Sequence, residues 1–147
     1  MDSQQSSDDS RQALNRAIWD SNEILVTAAT TSPLHKSRLT LNRAKLVAEK
    51  KTGLGSIDLM SVRIEDVLNV DATIGPLSGF VKIATKFTAS NKPYTIGPFR
   101  RHDTVKLKRI IQGYVIALER KIDLNMVPTK ELIPMLYELG TDDHSIK

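Results

Sequence analysis

The side chains that could do chemistry in this sequence are mostly basic. His35, Lys36 and Arg38 stand close together, Lys50 and Lys51 are adjacent, and Lys86 and Lys92 flank a loop-forming stretch. A second group, Arg100, Arg101, Lys106, Lys108 and Arg109, crowds the predicted start of a long helix. A helix N-terminus carries partial positive charge and disfavours bases by roughly 0.3–1 kcal/mol each. Two explanations stay open: an anionic partner, or pairing with Glu65, Asp66 or the acidic C-terminal segment. Aromatic residues do not interleave with these bases, so the stacking platform of a single-stranded nucleic-acid binder is not indicated.

Other chemistries find little support. The three histidines, His35, His102 and His144, are isolated and the chain has no cysteine, so neither a metal site nor a thiolate nucleophile is expected. There is no Gly-x-Ser-x-Gly elbow, and the paired acids Asp8-Asp9 and Asp142-Asp143 fall near the ends, where they read as solvated. Gly53-Leu54-Gly55-Ser56 lacks the Gly-Lys-Ser/Thr ending of a phosphate loop and reads as a hairpin turn. The expectation is no catalytic residue, no metal and no cofactor.

The charge is unevenly placed. The 147 residues carry a net +4, which hides basic blocks at 33–63 (+5) and 82–121 (+8) and acidic stretches at 1–10, 64–81 and 122–147 (−3 each). Such asymmetry suits an anionic partner, although acidic ends can also neutralise a basic centre. The length suits one domain with short attachments. No charge-free apolar run reaches the roughly 18 residues of a membrane span, and no signal peptide opens the chain. A cytoplasmic protein is expected, peripheral to the inner membrane face if the bases bind lipid.

The elements that must carry these residues follow from periodicity. Residues 1–9 read as a disordered tail, and 10–21 as a short helix bearing Ala13, Leu14, Ala17, Ile18 and Trp19. Short β-prone runs follow at 24–28, 38–41, 45–49, 56–62, 66–74, 80–85 and 94–96. They are separated by turn signals at Ser32-Pro33, Asn42-Arg43, Gly53–Gly55, Gly75–Gly79, Asn91–Pro93 and Gly97-Pro98. Residues 56–62 read as an alternating strand. Strands at this spacing predict an antiparallel barrel or sandwich. A helix then runs from an Asp103 N-cap to Ile122, with Leu107, Ile110, Ile111, Tyr114, Val115, Leu118 and Ile122 on one face. Arg109, Gln112 and Arg120 lie opposite, together with Val105, Gly113 and Ile116. An apolar spot beside a glycine predicts that something packs there. The segment 123–147, with Leu132, Ile133, Leu136 and Leu139, supplies a candidate: one kinked helix or two short ones around Pro134, stopped by Gly140, with the end from Thr141 frayed.

Leu39-Thr40-Leu41-Asn42-Arg43-Ala44-Lys45-Leu46-Val47 resembles the strand-turn-strand of bacterial PH-like (pleckstrin homology-like) and GRAM-type domains. Val62–Val67, Gly75–Gly79 with the strand after it, and the helix over 103–121 fit the same pattern, so the resemblance covers about 22–122. It departs at Leu41, where Thr is usual, and at Ala44, where a base is usual. The resemblance implies an α+β, mainly β fold: a seven-strand antiparallel β-sandwich or barrel capped by a helix, with the short helix before it and the helical extension 123–147 after it. It implies a non-enzymatic interaction module, docking to a protein partner or to itself. The alternative it carries is binding to an anionic membrane surface or phospholipid headgroups, and Lys36, Arg38, Lys50, Lys51 and Lys92 match the positions that grip phosphates in lipid-binding members. The dense basic motif of strong phosphoinositide binders is absent. Nucleic-acid binding through Arg100, Arg101, Lys106, Lys108 and Arg109 ranks behind both.

Overall fold

The computed structural model describes residues 23–30, 36–51, 55–89 and 91–142. The expected tail over 1–9, the helix over 10–21 with Trp19, His35, the loop at 52–54 and the end from 143 lie outside these.

Seven strands form two antiparallel sheets. β1 (Ile24–Ala29), β2 (Lys36–Asn42), β3 (Lys45–Lys51) and β4 (Ile57–Arg63) pair in chain order. β5 (Val67–Ile74), β6 (Ser78–Thr85) and β7 (Tyr94–Arg100) form the second sheet, also in chain order. The arrangement is a sandwich of four and three strands rather than a closed barrel. The Asn42-Arg43 turn forms because the Asn42 side chain accepts from the backbone N–H of both Ala44 and Lys45, 2.8 Å each. A 3₁₀ turn, Ile64–Asp66, joins the sheets. Its buried Asp66 carboxylate meets Arg63 at 3.3 Å and Lys86 at 3.5 Å, which ties the end of β4 to the end of β6.

The core lies between the inner faces. Leu39, Leu41, Leu46 and Ala48 face Val70, Val81, Ile83, Ile96 and Phe99, and the long helix α1 (Arg101–Glu119) adds Leu107, Ile110, Ile111 and Tyr114. β7 does not stop at Gly97-Pro98 but runs through that cis bond to Arg100 and passes directly into α1. The helix therefore starts before Asp103, which lies in its first turn and is not the N-cap. A carboxylate there still complements the helix dipole.

α1 ends at Glu119. Lys121 takes a left-handed conformation (φ 56°), Lys121 N–H donates to Leu118 C=O, and Ile122 N–H donates to Ala117 C=O. These two bonds form a Schellman cap with lysine in the usual glycine place. Ile122, expected on the apolar stripe, is thus outside the helix. Residues 110–117 of α1 are buried on every side. The face opposite the apolar stripe, where something was expected to pack, is covered by a second helix, α2 (Thr129–Asp142). The two run antiparallel: a Cβ on Gly113 would fall 1.8 Å from the Leu136 carbonyl oxygen, and one on Gly140 1.8 Å from that of Arg109. Gly140 does not stop α2. It is the small residue that lets the backbones touch. Gln112, which the sequence places opposite the apolar stripe, is buried and accepts from Val70 N–H at 3.0 Å.

Candidate functional site

Strand alternation decides which candidate bases share a surface. In β2 and β3 the inward positions are Ser37, Leu39, Leu41 and Leu46, Ala48. Lys36, Arg38 and Lys51 therefore point outward, with Lys36 directly opposite Lys51 and Arg38 opposite Glu49. Together with Ala29, Thr30, Ser37 and Glu49 they line an open cavity of about 180 Å³. Among the described residues none of these three bases is in an ion pair. Like charges directly opposite on a sheet are destabilising, by roughly 0.2–1 kcal/mol per pair. The cavity thus collects three cations and one carboxylate, an arrangement able to receive an anionic group.

The other two headgroup candidates are elsewhere. Lys50 points to the inner side, with its ammonium 4.3 Å from the centre of the Tyr94 ring. Burial pushes the Tyr94 phenol up from its ordinary pKa, and the Asp58 carboxylate adds to the rise. Lys92 is exposed, in the loop just before Tyr94. The five positions thus divide into three on the outer face, Lys50 on the inner side and Lys92 in a loop.

The helix-start cluster is also divided. Arg100 lies opposite Ser78 in the second sheet. The Arg101 guanidinium reaches the Gly75 carbonyl at 3.5 Å, and that of Arg109 donates to the Tyr137 hydroxyl at 2.7 Å and lies over its ring. Lys108 is half-buried and engaged within the fold, while Lys106 is exposed. Packing of α2 on α1 therefore takes Arg109 for an internal contact.

Ile57 and Leu59 are the residues that the sequence reading did not single out. The apolar residues of β4 do not keep one alternation. Val62 and the half-buried Met60 point inward, so Ile57 and Leu59, one phase out, lie on the outer face, each 61% exposed. The signal was the doubled apolar step Leu59-Met60, which shifts the hydrophobic phase by one residue and turns the earlier pair outward. Register sets Ile57 opposite Lys51 and Leu59 opposite Glu49. An apolar pair thus adjoins the outward bases on one sheet face.

The remaining surfaces offer less. An apolar cleft of about 370 Å³ between α1 and the start of β5 is lined by Ile64, Val67, Leu68, Val115 and Leu118, with Glu65 and Glu119. Among the described residues no group of histidines and acids could hold a metal ion, and no helix is long and apolar enough to cross a membrane. Comparison with protein-family models, with curated proteins and with solved structures finds no match to this chain.

Proposed function

We propose that the chain is a non-enzymatic, cytoplasmic interaction module of PH-like fold that docks a protein partner on the outer face of its four-stranded sheet. Support for the fold comes from the order of four strands, three strands and a closing helix, together with the residues 39–47 that resemble the family. The observation that carries the docking reading is the exposed pair Ile57 and Leu59 beside Lys36, Arg38 and Lys51, none of these bases in an ion pair among the described residues. Apolar side chains beside unpaired charge on one face are what a partner surface needs for area and for orientation. A photocrosslinking side chain at position 59, in cells that make the protein, should give polypeptide adducts that the same side chain at position 73, on the other sheet, does not.

A second reading is favoured by the three bases around one cavity: attachment to an anionic membrane surface. Bases near anionic lipid contribute about 1 kcal/mol each. That reading expects the chain to sediment with phosphatidylserine vesicles but not with phosphatidylcholine vesicles. It also expects Lys36→Glu with Lys51→Glu to release it. Absence of both adducts and sedimentation would remove both readings.

A further inference from the structure

We infer that the outer edge of β4 is a strand-addition site that takes an extended, acidic peptide segment of a partner, with the peptide becoming a fifth strand of the first sheet. The inference rests on the docking reading above and names the mode and the chemistry of its ligand.

The edge is legible from the register. Ile64 N–H donates to Ala44 C=O, and the pairing of β3 with β4 continues from there without a shift. In an antiparallel pair, hydrogen-bonded and non-bonded positions alternate. Asp58, Met60 and Val62 therefore bond to β3, while the N–H and C=O groups of Ile57, Leu59 and Ser61 point away from it. The sheet order ends at β4, so no described strand receives them.

The other sheet closes the comparable edge. In β5 the outward N–H of Val70 is taken by the Gln112 side chain at 3.0 Å, and that of Ala72 by the Asp71 carboxylate at 2.8 Å. Edge strands are commonly protected in this way, by covering, by charge or by proline. Among the described residues β4 has one such device at its exposed half, the Asp58 carboxylate on the inner side; the outer-face residues Ile57 and Leu59 are apolar, and the strand contains no proline.

Charge selects the occupant. The outer face carries Lys36, Arg38, Lys45, Lys51 and Arg63 against Glu49. Arg63 is held by Asp66, and the others have no ion pair among the described residues. A second copy docked edge to edge would double that positive surface on one continuous sheet. A peptide with acids among β-branched residues instead meets a complementary field. Strands lie about 4.8 Å apart, which sets its side chains roughly two spacings from the Lys51 row, within reach of a long lysine side chain.

The test uses the full isotope-labelled chain and a ten-residue peptide alternating valine and glutamate, with lysine replacing glutamate in a control peptide. Amide hydrogen exchange is read residue by residue. With the acidic peptide at ten times its Kd, the amides of Ile57, Leu59 and Ser61 should slow about tenfold, and those of Asp58, Met60 and Val62 should change little. Leu59→Pro removes an outward N–H and should abolish the effect. Should that variant lose its folded spectrum, Leu59→Glu, which keeps the backbone, should weaken binding of the acidic peptide at least tenfold. Equal slowing by the lysine peptide would overturn the acidic selection. Slowing that needs no peptide and grows with protein concentration would assign the edge to a second copy. No slowing, with crosslinking at position 59 retained, would overturn strand addition while leaving the docking reading; loss of both would end both.

Discussion

Arg43 shows how one turn residue holds distant parts of the chain. Its guanidinium donates to the Leu124 carbonyl at 3.0 Å, to the Val127 carbonyl at 2.6 Å and to the Thr129 hydroxyl at 3.2 Å, which fixes the link between the helices. The Arg43 carbonyl accepts from the buried Tyr114 hydroxyl at 2.6 Å. Tyr114→Phe leaves that carbonyl without its donor and should cost about 1–1.5 kcal/mol by denaturant unfolding. The phenol also gives the fold a pH dependence. Burial raises the Tyr114 pKa, Arg43 opposes the rise and Glu65 adds to it. A phenol with a raised folded pKa supports folding while protonated. Its contribution is complete below the unfolded value of about 10 and is lost as the pH climbs through the folded one. The melting temperature should therefore fall above about pH 10, less steeply in Tyr114→Phe. Equal slopes would show that Tyr114 contributes nothing to that fall.

At the scale of elements, the contact between α1 and α2 depends on two glycines. Replacing Gly113 by Ala removes a helix-propensity penalty of about 1 kcal/mol. It also puts a methyl group 1.8 Å from the Leu136 carbonyl oxygen, which the backbone can relieve only by moving α2. Overpacking of this kind costs about 1–3 kcal/mol or more, so Gly113→Ala should lower the melting temperature despite the better propensity. A rise would mean that the helices separate freely. The cap at Lys121 predicts the opposite sign. Glycine adopts the left-handed conformation without the strain that a Cβ brings, so Lys121→Gly should stabilise by about 0.5–1 kcal/mol in a thermal melt. Much of this level was legible in the sequence. Apolar Ile116 beside Gly113 foretold a covering element, and α2 packs against Gly113. Gly140 was read as a stop because glycine commonly ends helices; its use as a contact point depends on where α1 lies, which local sequence does not encode.

For the molecule as a whole, the basic blocks become a surface only after folding. The outer face of the first sheet concentrates positive charge, while the helix-start bases are divided among several contacts. Partner capture by this face should therefore weaken with salt. Raising ionic strength from 0.1 M to 1 M shortens the screening length from about 10 Å to 3 Å and should lower crosslinking yield at position 59 severalfold. Yield independent of salt would assign the contact to Ile57 and Leu59 alone. Removal of residues 123–147 should lower the melting temperature, because it would bare the α1 surface around Gly113 and Ile116.

Periodicity and turn chemistry by themselves determined seven strands, a long amphipathic helix and a further helical segment, because these depend on residues near in sequence. The separation of Lys36, Arg38 and Lys51 from Lys50 also follows from alternation, once strand limits are known. Tertiary structure alone decided that Lys36 and Lys51 meet, that Gln112 takes the outward N–H of Val70, and that no described strand pairs with the edge of β4. Each of these depends on residues brought together from distant parts of the chain. The outward turn of Ile57 and Leu59 lies between the two cases. Its cause, the doubled Leu59-Met60 step, is local, but only the packed inner face shows which phase of the strand is buried.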